Sequence, residues 1–191
     1  MDRQRRERIA KNELSEIRTY RLGGYDQKVL LEGRRRDLPI VLFLHGGPGS
    51  PVPFCVGCRG MFPRLTDRVV MVCWDQYGCG INDAAIDDSF SIADYVSMTV
   101  DLVLALKRDF PGQAINLFGV SWGSVLAAKT AERIPEELSH VVTYGQVRSD
   151  LVFNGAVYMP WNAPACPCEK NVCLRRSNPK RRTMIPISNG S

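Results

Sequence analysis

A chain of 191 residues with 45% hydrophobic content is long enough for one globular core and too short for two domains of ordinary size. Its formal charge of +5 resides in residues 165–191, where six cations face one acid, so the rest is neutral overall and no nucleic-acid partner is expected of a body without a basic excess. No stretch approaches the roughly 20 apolar residues that cross a bilayer, and residues 1–16 are charged throughout with no apolar run to act as a signal-peptide core, so neither a membrane nor export is expected.

In chain order, residues 17–22 and 28–31 predict two short strands flanking the turn Gly23-Gly24-Tyr25-Asp26, a hairpin entering the fold. The continuous apolar run PIVLFL at 39–44 stops abruptly at His45-Gly46-Gly47-Pro48-Gly49, as a strand buried on both faces and ending in a loop would. The same pattern recurs at 69–74, ending at Asp75, at 114–118, ending at Gly119, and at 141–144. Between them, Ile92, Tyr95, Val96, Thr99, Val103 and Leu106 fall at helical spacing before Pro111-Gly112, and a second helix is expected over residues 123–133, stopping before Pro135. The array predicts an α/β fold: a mostly parallel sheet with flanking helices and functional loops at the carboxyl ends of the strands. Beyond residue 147 five prolines, three cysteines and a basic cluster follow without any period of 2 or 3.6. The expected organisation is therefore a domain over 1–147 and a divergent tail over 148–191 without a packed core.

The strongest chemical signal is Gly119-Val120-Ser121-Trp122-Gly123, a GxSxG set between a buried strand and a helix. Glycines two residues either side let strand and helix approach, and the sharp turn lifts the Ser121 hydroxyl clear of both, which marks it as a nucleophile. The Trp122 N–H opens the helix and aims at a developing oxyanion with the helix dipole behind it. A second donor is expected from His45-Gly46-Gly47-Pro48-Gly49; Gly47 is the first choice and Gly46 the alternative. His45 precedes those glycines and is read as a brace for the loop, not as a catalytic base.

HGGPGS at 45–50, CWDQYGCG at 73–80 and GVSWGS at 119–124 resemble, in this order, the HGGPG, WDQRGxGxS and GxSWGS strings of proline iminopeptidase-like serine hydrolases of the α/β-hydrolase superfamily. The resemblance covers residues 15–146. It implies Ser121 as nucleophile, Trp122 and Gly47 as oxyanion donors, Asp75 as a structural acid beside the site, no cofactor, and release of N-terminal proline or a similar small residue from short peptides or related esters through an acyl-enzyme. The departures are Tyr77 in place of the usual Arg, Asn82 in place of Ser, and the absence of the family's later acid and histidine. His140 opens a strand and is expected at the opposite end of the sheet from Ser121. The hydrolase sheet is thus expected to be incomplete on its C-terminal side, as in a truncated or frame-shifted product, with residues 141–144 an exposed edge prone to self-association. The competing reading is a non-catalytic hydrolase fragment or a binding module with a basic, cysteine-rich tail. An Asp at the elbow would have pointed to dehalogenase or epoxide hydrolase chemistry; Ser121 favours acyl transfer.

Seven cysteines, an odd number without an export signal, predict reduced thiols and a cytoplasmic setting. Cys55 and Cys58 form a CxxC to which Cys166, Cys168 and Cys173 could add thiolates, but the pair falls where a loop meets a short helix, Cys73 and Cys79 read as small buried residues, and no metal site is expected.

Overall fold

The computed structural model describes residues 2–87 and 89–147. The chain separates into two units, Met1–Val147 and Arg148–Ser191; the tail foreseen for 148–191 lies outside the described residues.

A charged helix, α1 (Arg3–Ala10), precedes the hairpin of β1 (Leu14–Leu22) and β2 (Tyr25–Gly33). Its N-cap, Asp2, accepts the Arg5 N–H at 2.8 Å, and periodicity gave no sign of this helix because none of its residues is fully buried. The hairpin is longer and its turn tighter than expected: Leu22 pairs with Tyr25, leaving only Gly23 and Gly24 in the bend. Both glycines have positive φ, 56° and 86°, the backbone that a two-residue hairpin turn of right-handed twist demands. Tyr25 and Asp26, read as turn residues, therefore belong to the strand.

β3 (Ile40–Leu44), β4 (Val70–Trp74), β5 (Ile115–Val120) and β6 (His140–Tyr144) complete a six-stranded sheet of order β1-β2-β4-β3-β5-β6. β1, β2 and β4 pair antiparallel in sequence; β4, β3, β5 and β6 are parallel neighbours. The apolar runs are parallel strands because their interiors are covered on both sides: every residue of β4 is buried. One face packs beneath α3 (Ile92–Asp109) and α4 (Trp122–Arg133). The other carries Leu30, Phe43, Met71 and Cys73 against Val56, Cys58, Phe54 and Phe62, with Phe43 stacked on Phe54 at 4.1 Å between ring centroids. Fully burying side chains of this size contributes about 1.5–3 kcal/mol each. Short α2 (Pro63–Thr66) closes this layer. Among the described residues β6 is an edge strand, with Val142 51% and Tyr144 71% exposed.

The tightest fit is where α4 crosses the sheet. A Cβ on Gly123 would overlap the Leu44 carbonyl oxygen and lie 2.7 Å from that of His45, and one on Gly119 would lie 2.9 Å from the Ser124 Cα. Backbone cannot yield as a flexible side chain can, so Gly123→Ala is expected to destabilise the fold by about 3 kcal/mol or more. Gly112→Ala, with nothing nearby but φ +81°, is expected to cost only about 1 kcal/mol. Urea midpoints of the two variants check this order.

Candidate active site

Three loops leave the sheet side by side because three parallel strands are in register. Leu44 lies opposite Gly119 across β3 and β5, and Phe43 opposite Cys73 across β3 and β4. Continuing one or two residues past the ladder brings Gly46, Gln76 and Ser121 to the same end. The register makes Gly46 a neighbour of Ser121: a Cβ on Gly46 would lie 3.4 Å from that of Ser121. Gly47 follows at φ +122°, where a side chain would strike the Gly49 and Ser50 amides.

Ser121 has φ 50° and ψ −117° and is the only non-glycine residue with positive φ among those described. Such a conformation costs on the order of 1–3 kcal/mol and persists only where the surroundings over-determine it. Here they do. The Ser121 N–H donates to the Tyr144 carbonyl at 2.9 Å, and its own carbonyl accepts the Ser124 N–H at 2.8 Å and the Ser124 hydroxyl at 2.5 Å. The Ser124 hydroxyl accepts in turn from the Val147 N–H at 3.0 Å. Helix α4 starts one residue early against the expected 123, at Trp122, so the Trp122 N–H lies in the first turn with no intrahelical acceptor.

His45 is buried behind the loop with both ring nitrogens engaged. Nδ1–H donates to the Gly46 carbonyl at 2.7 Å, and Nε2 accepts the Gln76 N–H at 3.0 Å. Since a carbonyl cannot donate and an amide N–H cannot accept, this is the neutral tautomer with its proton on Nδ1. Burial holds the imidazole below its ordinary pKa of 6.5, against the opposing effects of the Gly46 carbonyl and Asp75. His140 lies opposite Asn116 at the other end of the sheet, its Nδ1 3.1 Å from Asn116 Oδ1. The chain has only these two histidines, and neither reaches the Ser121 hydroxyl.

Asp75 is buried, and its two oxygens accept from the Val56 N–H at 2.8 Å and the Ile81 N–H at 3.0 Å. A side chain on Gly80 would overlap this carboxylate. Asn82, at the position of the usual Ser, joins the loop to the hairpin: it accepts the Lys28 N–H at 2.7 Å and donates to the Lys28 and Asp75 carbonyls at 2.9 and 2.6 Å. Tyr77 puts a ring where the usual Arg would put a charge, 4.5 Å from Tyr25 and 5.4 Å from Phe90 between centroids.

Sequence reasoning overlooked Gln76. Its side-chain amide donates to the His45 carbonyl at 3.3 Å, its oxygen accepts the Trp122 indole N–H at 2.9 Å, and its backbone N–H holds His45. One buried residue thus ties together the three motifs. The signal was a polar residue directly after a buried strand inside a quoted motif; its partners, 31 and 46 residues away, are not visible in one dimension. No group of three or more His, Cys, Asp or Glu among the described residues is arranged to hold a metal ion.

A family model described as the alpha/beta hydrolase fold matches residues 39–164. The chain is 29% identical over 128 residues to a probable aminopeptidase, YbaC, of Bacillus subtilis (strain 168), covering 66% of this chain and 40% of that protein. It is 34% identical over 110 residues to the proline iminopeptidase of Neisseria gonorrhoeae, covering 55% and 32%. It thus spans about two fifths or less of the length of these relatives. Among solved structures it superimposes on epoxide hydrolase VrEH1 from Vigna radiata with a TM-score of 0.55 and 26% identity, covering 69% of this chain and 38% of that one. A mutant of the meta-cleavage product hydrolase CumD gives 0.56 and 23%, covering 70% and 47%.

Two outcomes are expected from this geometry. Gln76→Leu strands the buried indole N–H of Trp122 and is expected to cost about 2–3 kcal/mol in urea unfolding, whereas Tyr77→Phe stays within about 0.5 kcal/mol of the parent. Because the folded pKa of His45 lies below its unfolded value, the unfolded chain binds the extra proton first. Its contribution is complete above pH 6.5 and is lost as pH falls from there toward the folded pKa. The His45 ring signals in NMR are expected to titrate with a midpoint below the free-imidazole value, and a midpoint above it would overturn the dominance of burial over the Gly46 and Asp75 effects.

Proposed function

The chain belongs to the α/β-hydrolase fold family, and on that footing we propose that Ser121 is the nucleophile of an acyl-transfer hydrolase site whose ancestral substrates were short peptides with N-terminal proline or a similar small residue. What supports this is the strained turn at Ser121, held from both sides of its peptide unit at the mouth of three aligned strands. Structure is spent on raising that hydroxyl, which a merely structural serine does not need. The names of the aminopeptidase and proline iminopeptidase relatives favour the peptide class. Serine at the elbow favours an acyl-enzyme, formed by attack of Oγ on a carbonyl carbon and collapse of a tetrahedral oxyanion.

In this proposal the oxyanion is held by the Trp122 N–H and a backbone N–H of the Gly46-Gly47 segment. The Trp122 amide is preorganised by the helix start, and the glycines keep the space above Ser121 free for a carbonyl. Gln76 positions both halves by bonding the Trp122 indole and the His45 carbonyl. Asp75 holds the loop beneath.

A second reading, a non-catalytic hydrolase half, is favoured by one observation: both nitrogens of His45 are committed to the backbone and His140 lies across the sheet. Without an imidazole the Ser121 hydroxyl keeps its high intrinsic pKa, and the geometry alone sustains at most about 10³–10⁴-fold acceleration over water.

The two readings separate on covalent labelling. A fluorophosphonate is expected to label the full chain at Ser121, slowly, with no label on Ser121→Ala and with turnover of prolyl arylamides barely above background. Mapping of the label to another serine, or its complete absence from folded protein, would remove the proposed nucleophile. Ordinary enzymatic turnover that Ser121→Ala abolishes would instead sink the non-catalytic reading.

A further inference from the structure

The hydrolase site uses none of Cys55, Cys58 and Cys73, yet these three meet on the sheet face opposite α3 and α4. Cys55 caps a 3-10 turn (Val56–Cys58) whose last residue is Cys58, and the Cys58 N–H donates to the Cys55 carbonyl at 3.0 Å. Burial and the Asp75 charge raise the pKa of Cys55, and the two thiols are close enough that a negative charge on Cys58 raises it further. From Cys58 the line continues inward, its Sγ lying 3.8 Å from that of Cys73 on β4. Exposure falls along this line: Cys55 is half-buried, and Cys58 and Cys73 are buried among Leu30, Phe43, Val56 and Met71. The outer sulfur is left open by Gly57, where a Cβ would sit 3.4 Å from Cys55 Sγ.

We propose that Cys55, Cys58 and Cys73 form a thiol relay that a peroxide oxidises from the surface inward, ending in a Cys58–Cys73 disulfide. Hydrogen peroxide meets Cys55 first because it is the outermost of the three; burial and the Asp75 charge push its thiol above the ordinary value, so this first step is slow, the thiolate taking one oxygen to give the sulfenic acid and releasing hydroxide. The Cys58 thiol then attacks that sulfur, forming the Cys55–Cys58 disulfide and expelling water. In the last step the Cys73 thiol attacks the Cys58 sulfur; the S–S bond shifts inward, and Cys55 leaves and takes up the proton. Overall two thiols lose two electrons and two protons, and one peroxide becomes two waters.

The buried pair is polarised for this. The Cys73 thiol holds Cys58 below its ordinary pKa, while burial drives Cys73 well above its own. Cys58 is therefore the readier nucleophile toward Cys55, and the exchange by Cys73 is the slower of the two thiol attacks. The product ties the 3-10 turn to β4 across 15 residues of chain, beside the bond from Val56 N–H to Asp75. The consequence is a firmer loop under the three motifs.

The test is oxidation of the reduced full chain by hydrogen peroxide, with timed alkylation and peptide mapping. A Cys55–Cys58 linkage is expected first, followed by a Cys58–Cys73 linkage that accumulates, with the midpoint of melting raised by roughly 5–10 °C. Cys55→Ser is expected to slow the inner disulfide at least tenfold, and Cys73→Ser to stop the sequence at Cys55–Cys58. Timed mapping of the parent chain decides the order even if a variant fails to fold. Appearance of the Cys58–Cys73 linkage first, its absence while Cys55 is over-oxidised in folded protein, or equal rates in Cys55→Ser would each overturn the relay.

Discussion

Everything at this site hangs on one contact between backbones, the start of α4 resting on the end of β3. With hydrogen in place of a side chain at Gly123, the helix descends until only that hydrogen separates it from the Leu44 carbonyl. The chain leaving β5 then has a single residue in which to turn from strand to helix, and Ser121 takes the positive φ that this demands. The closeness also sets Gly46 beside Ser121, because the loop after β3 departs from the same point. A larger residue at 123 would move the helix outward and relax the turn that lifts the hydroxyl.

Around this contact the polar groups are arranged as a scaffold. Gln76 bonds the Trp122 indole, the His45 carbonyl and the His45 ring, and Asp75 and Asn82 bond the backbone of neighbouring segments. Buried polar groups that are left unmade cost about 1–3 kcal/mol each, so such a network specifies one arrangement of the three loops. Its price is chemical: an imidazole that accepts from one backbone amide and donates to an adjacent carbonyl has no lone pair left for a serine proton. The element that makes the geometry precise is the same one that withholds His45 from general-base work.

The two departures from the resembled motif are absorbed differently. Asn82 fills its place with three hydrogen bonds, so an amide does there what joins the loop to the hairpin. Tyr77 substitutes an aromatic surface for a charge. Its ring lies between Tyr25 and Phe90, and Phe90 packs edge-on against Tyr95, which in turn meets Trp122 at 5.9 Å between centroids. The rim of the site is thereby held by ring contacts that ionic strength does not weaken.

The four parallel strands and the two long helices were legible in the residues alone, since apolar runs of four to six that stop abruptly at His45, Asp75, Gly119 or Gly145 read as buried strands of a covered sheet, and the spacing from Ile92 to Leu106 is a helix's own. The elbow at Ser121 was legible for the same reason: its determinants, Gly119 and Gly123, lie within two residues of it. Helix α1 was not, because none of its residues is fully buried and no apolar stripe announces it; nor was the two-residue hairpin turn, because four turn-forming residues in a row do not say where pairing stops. The role of Gln76 and the meeting of Cys58 with Cys73 were beyond reach, as both depend on which strands become neighbours and in what register. Local geometry is written in local sequence; a hydrogen bond spanning 46 residues exists only once the parallel ladders of β4, β3 and β5 have brought three separate loops to one end of the sheet.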